Sequence, residues 1–114
     1  MLHAWQAIQE CAQRHKLNVV PDFVGHGVGR IFHSDPYVIP VRNREPGIMQ
    51  VGQTFTVEPI LVMGSPRLSY WKDDWTAVAV DGSLSAQWEH TVLITPTGYE
   101  LLTVPSGGGT TKGF

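Results

Sequence analysis

Two histidines and two glutamates stand where packing alone would not choose to put them. His26 and His33 lie seven residues apart in the run Gly25-His26-Gly27-Val28-Gly29-Arg30-Ile31-Phe32-His33. The glycines strip away steric bulk and let a ligand or a metal ion approach the backbone. Glu58 ends the run Thr54-Phe55-Thr56-Val57 and is fixed by Pro59 behind it. Glu89 sits between Trp88 and His90, just ahead of Thr91-Val92-Leu93-Ile94, and a carboxylate in so apolar a strand needs a partner. Two imidazoles and two carboxylates suit hard-to-borderline divalent metals. No second histidine lies four residues away with a glutamate between, so this is neither a zinc finger nor an HExxH helix. Ser83 and Ser85 lack a neighbouring His-Asp arrangement, and a serine nucleophile is not supported. Arg30 reads as a local ion-pair or backbone-capping group, and His90 as structural, on the face opposite Glu89.

The elements that must position these groups follow from periodicity. From Leu2 to Lys16, Trp5, Ile8, Cys11 and Ala12 recur at helical spacing, with Gln6, Gln9, Gln13 and Arg14 elsewhere on the wheel. This predicts an amphipathic helix, with Cys11 as a small buried apolar group and His3 and His15 exposed. Leu17 to Val20 reads as a short strand. Val24 to Pro36 shows neither period and is expected to be a loop. Thr54 to Val57 alternates, so that Thr54, Thr56 and Glu58 share one face. Trp75 to Val80 reads as another strand, joined through the turn signal Asp81-Gly82 to a third at Ser85 to Thr95. Trp71 and Trp88 are expected to cover the sheet. A Tyr99 to Val104 run follows, and residues 105–114 read as a flexible Gly-rich tail.

Composition limits the functions available. The 114 residues are 42% hydrophobic and 16% charged, which excludes a charged disordered polymer. Eight Lys and Arg against ten Asp and Glu leave a net charge of -2 with no basic run, so nucleic acid is not an expected partner. A single cysteine excludes a disulfide-stapled fold. No apolar run of about 18 residues is present to span a bilayer, and no membrane partner is expected. Gln6, Gln9, Glu10 and Arg14 are wrong for the apolar core of a signal peptide. Twelve Gly and eight Pro leave room for only one convincing helix.

Three blocks of this chain resemble the signature blocks of type 1 methionine aminopeptidases. They are Gly25 to Pro36, Thr54-Phe55-Thr56-Val57-Glu58-Pro59, and Ser85-Ala86-Gln87-Trp88-Glu89-His90-Thr91. Their order and separations also match, and the resemblance runs from about His3 to Thr103. It implies an α+β chain forming the second half of a pita-bread fold, a curved antiparallel sheet with one or two helices, over residues 1–104. It implies metal-dependent removal of the initiator methionine, with two divalent ions (Co, Mn, Fe or Zn) that acidify a shared water. By the same resemblance His26, Glu58 and Glu89 are metal ligands, Glu89 bridging both ions and Glu58 also moving a proton. His33 contacts substrate beside the scissile amide, while Phe32 and Trp75 line the methionine pocket.

The family pattern also calls for groups absent here. Two aspartate ligands and a third active-site histidine belong to the first half of the fold, and Asp22 and Asp35 lie at the wrong positions to replace them. The expectation is therefore a C-terminal half whose partners are the missing N-terminal half, the N-terminal Met of nascent peptides and, as a candidate, the ribosome. Its location is expected to be cytoplasmic, or a mitochondrion or plastid if an upstream transit peptide exists. The competing readings are a non-catalytic peptide- or protein-binding module on the same fold, which survival of His26, Glu58 and Glu89 disfavours, and a prolidase-like dipeptidase, which the Ser85 to Thr91 block argues against.

Overall fold

The computed structural model of the chain describes residues 3–105, so all of the expected tail except Pro105 lies outside the described residues. Helix α1 (Ala4–Arg14) opens the chain. Trp5, Ile8, Gln9 and Ala12 fall on its inner face, and Ala12 is 3% exposed. At 100° per residue Cys11 lies roughly 110° from the centre of that face. It is exposed, which corrects the expectation of a buried thiol. His3 and His15 cap the two ends and are exposed as expected. No helix among the described residues is long and apolar enough to cross a membrane.

Ten short strands follow: β1 (Asn18–Val19), β2 (Gly25–Gly27), β3 (Ser34–Val38), β4 (Thr54–Val57), β5 (Ile60–Val62), β6 (Leu68–Tyr70), β7 (Ala77–Ala79), β8 (Ser85–Gln87), β9 (His90–Thr95) and β10 (Gly98–Leu101). They form a five-stranded sheet in the order β10-β9-β4-β2-β3, a three-stranded sheet β1-β5-β8 and the hairpin β6-β7, with every pairing antiparallel. One helix on antiparallel sheet is the α+β architecture expected.

Two chain segments serve both large sheets. Residues 54–62 run as β4 in one and β5 in the other, broken at Glu58-Pro59, and residues 85–95 run as β8 and β9, broken at Trp88-Glu89. Pro59 has no N–H to give a ladder. The expected continuous strand Ser85 to Thr95 is thus two strands with a bend between. The register is the same on both sides of the break, Val57 facing His90 and Ile60 facing Gln87. Counting inward from either side sets Glu58 opposite Glu89.

The expected loop over Val24 to Pro36 contains β2 and part of β3. Periodicity fails there because β2 is buried at all three residues, so no alternation exists to be read. Its glycines have a structural cause. A Cβ on Gly25 would lie 2.2 Å from the Thr56 carbonyl oxygen, and one on Gly27 would lie 2.1 Å from that of Asp35. Neighbouring strands occupy the space that the sequence reading gave to a ligand. The Asp81-Gly82 turn forms, with Gly82 at φ +68°, but joins no hairpin: β7 pairs back to β6, and β8 pairs with β5. Trp75 precedes β7 because the Asp73 carboxylate accepts the Trp75 and Thr76 amides, curling the chain before the ladder begins.

The core is thin. Phe55 faces Val92 across β4 and β9, and Val19, Val20 and Val62 fill the second sheet. Fully burying a side chain such as Phe55 contributes about 1.5–3 kcal/mol. Met63, Leu84 and Trp88, around the free edge strand β8, are 64%, 75% and 72% exposed. Trp71 is 59% exposed, so neither it nor Trp88 covers a sheet as expected.

Candidate metal centre

The bends bring three sequence-distant ligands together. One ligand atom from each of His26, Glu58 and Glu89 lies within 4.8 Å of the others, the only such group among the described residues. β2 delivers His26 through its pairing with β4, where Gly27 faces Phe55 and His26 consequently stands beside Thr56. Because opposite residues of an antiparallel pair point to the same side, His26, Thr56, Glu58 and Glu89 share one face.

His26 is buried, Glu58 half-buried and Glu89 exposed. The His26 Nδ1 lies 3.1 Å from the Gly27 carbonyl oxygen. That oxygen only accepts, so Nδ1 carries the proton in this bond and a neutral ring keeps its lone pair at Nε2. Nε2 in turn stands 3.4 Å from Glu58 Oε1. Either a proton on Nε2 or a shared metal ion would join these two atoms. The register adds a second argument, since like charges directly opposite on paired strands repel. An imidazole and two facing carboxylates form a donor set that a divalent cation fits.

Thr56, which the sequence reading did not single out, is the polar hub. Only 2% exposed, its hydroxyl accepts the His26 amide N–H at 2.9 Å and donates to Glu58 Oε1 at 2.8 Å. Its position two before Glu58 on an alternating strand was the available signal. Glu89 has no hydrogen bond of its own among the described residues. It is braced from behind: Trp88 Nε1 donates to His90 Nε2 at 3.0 Å, so Nδ1 is the protonated nitrogen of a neutral His90 and donates to Thr103 Oγ1, also at 3.0 Å. The Thr103 hydroxyl also accepts the Thr91 amide. His90 is structural on the opposite face, as expected.

The other expected site residues divide. His33 meets the His26 ring edge-on with centroids 4.3 Å apart, and Phe32 lies 4.4 Å from His33 and 5.8 Å from His26. Trp75 is 87% exposed, and no aromatic contact among the described residues joins it to this group. Arg30 is exposed and forms no ion pair or side-chain hydrogen bond among the described residues, which corrects its reading as an ion-pair or capping group.

Residues 3–96 match the model of metallopeptidase family M24. The chain is similar to the chloroplastic methionine aminopeptidase 1B of Arabidopsis thaliana, 54% identical over 96 residues, covering 84% of this chain and 26% of that protein. It is equally similar to the chloroplastic/mitochondrial methionine aminopeptidase 1D of the same plant, 54% identical over 98 residues, covering 86% of this chain and 28% of that one. The crystal structure of methionine aminopeptidase from Rickettsia prowazekii superposes with a TM-score of 0.81 at 40% identity, covering 88% of this chain and 41% of that one. The chain therefore spans about a quarter of the length of these plant relatives. A family match across most of the chain, a shared pita-bread fold and a converged His/Glu/Glu group agree: this chain belongs to metallopeptidase family M24.

Proposed function

We propose that this chain supplies three ligands, His26, Glu58 and Glu89, to a divalent-metal aminopeptidase site that releases the N-terminal methionine of nascent peptides. The observation that carries the reading is the convergence of these three residues, from three separate blocks, within 4.8 Å. When bound, a divalent ion supplies positive charge that polarises a peptide carbonyl and acidifies water. The chain's own groups do the rest. Glu58, already a hydrogen-bond acceptor at Oε1, is placed to take and return a proton. His33, held edge-on to His26 but free at the surface, donates a hydrogen bond to substrate beside the scissile amide. Phe32, beside His33, and Trp75, on the β6-β7 hairpin, line an apolar methionine pocket.

The centre holds two ions once two aspartates and a further histidine join it from polypeptide outside these residues. The exposed β8 edge, with Leu84, Trp88 and Met63 around it, is the surface that polypeptide covers. The protein works in the cytoplasm or in an organelle, as its relatives do in chloroplasts and mitochondria. The test is to mix the chain with a polypeptide matching the remainder of a relative and assay release of methionine from Met-Ala-Ser in manganese or cobalt. The mixture should be active, the chain alone at most weakly so, and Glu89→Gln should abolish activity. Cleavage of Xaa-Pro dipeptides in preference to Met-Ala would replace this reading with a prolidase-like one.

A further inference from the structure

The Thr56 hydroxyl touches both elements of the buried side of the site at once. It accepts from the His26 backbone and donates to the Glu58 carboxylate, at 2.9 and 2.8 Å, and is itself 2% exposed. A hydroxyl has one proton to give, and Glu58 Oε1 at 2.8 Å is a closer acceptor than the His26 carbonyl at 3.4 Å; the same Glu58 oxygen faces His26 Nε2 at 3.4 Å. No other side chain among the described residues bonds to either ligand.

We propose that Thr56 is a positioning residue that sets the two ligands' relative geometry before any metal arrives; this rests on the metal-site reading above. Three contacts converge to make it so. Gly25 and Gly27 let β2 lie close against β4 and β3. That approach brings the His26 amide within reach of the Thr56 hydroxyl, and the same hydroxyl turns the Glu58 carboxylate toward the imidazole. The ion therefore meets a preformed pair and orders fewer side chains on binding. The methyl of Thr56 does none of this, so valine, its nearest isostere, keeps the shape and loses the function.

The test is manganese titration by calorimetry on the full chain and its Thr56→Val, Thr56→Ala and Thr56→Ser variants, each first checked for fold by circular dichroism. Valine and alanine should weaken manganese by about 10- to 100-fold, the range typical of groups that orient metal ligands, and serine should restore most of the affinity. Wild-type binding with unchanged affinity in folded Thr56→Val would overturn the positioning role and leave the metal site standing. Failure of the wild type to bind manganese, cobalt, iron or zinc both alone and when mixed with the complementary polypeptide would instead overturn the site itself. A further measurement needs no variant: in the metal-free wild type the Thr56 hydroxyl proton should give a slowly exchanging NMR signal with a cross-peak to the His26 amide. A hydroxyl in rapid exchange with water overturns the proposal even if both hydroxyl-free variants fail to fold.

Discussion

The two strand breaks carry equivalent carboxylates and are built in opposite ways. At Glu58 the bend is made by Pro59, the carboxylate is half-buried, and Thr56 and His26 hold it from the front. At Glu89 there is no proline, the carboxylate is exposed, and bracing comes from behind through Trp88, His90 and Thr103. One ligand waits in place while the other retains side-chain freedom. The difference shows how a site can be tight in two of its members and adaptable in a third: buried hydrogen bonds fix geometry at low added cost, whereas an exposed carboxylate keeps rotamer entropy that binding must remove.

The largest way to break this contrast is to crowd the Glu58 side. Gly25→Ala drives a methyl to 2.2 Å from the Thr56 carbonyl oxygen, a backbone atom that cannot swing aside. We expect a loss of about 3 kcal/mol or more in urea denaturation, and an unchanged midpoint would show that the close approach of β2 and β4 is not required. His90→Ala attacks the other side. It removes the acceptor for Trp88 and the donor to Thr103, each contact being worth about 0.5–1.5 kcal/mol. Its effect on manganese affinity should be smaller than that of Thr56→Val, because Glu89 can still reach the ion. If His90→Ala proves the more damaging to binding, the bracing behind Glu89 and not the hydroxyl beside Glu58 is what organises the site.

How much of this was legible in the sequence depended on range. The helix was readable because Trp5, Ile8 and Ala12 carry its period within one element, and Cys11 was misassigned because its spacing of three from Ile8 counted as periodic although it lies well off that stripe. β4 was readable from alternation. β2 was not, since a strand buried on both faces and built of Gly-His-Gly shows no alternation, and its pairing with β4 lies about thirty residues away. The break at Glu89 was hidden because no proline marks it. It follows from the pairing of β8 with β5 and β9 with β4, which are choices of two different sheets. His26, Glu58 and Glu89 were found through the resemblance of their blocks and through residue type. Their convergence depended on the unbroken register across both bends, and Thr56 became visible only once that register placed it beside His26.

The smallest expected effect concerns the turn that leads into β8 and so toward Glu89. Asp81 accepts the Ser65 amide and both the hydroxyl and amide of Ser83, tying the start of β8 to the chain that follows β5. These bonds favour the ionised form, the Ser65 amide most, and hold its carboxyl at about 2 against an ordinary 3.8. A depressed carboxyl stabilises the fold above its unfolded value and loses that contribution as pH falls through the folded one, so the window is about pH 4 down to 2. The side chain is exposed and solvent screens it, which keeps the effect small. Across that window the wild-type melting temperature should fall slightly more steeply than that of Asp81→Asn, whose amide does not titrate. Parallel curves would mean that the turn adds nothing to the folded state beyond its backbone geometry.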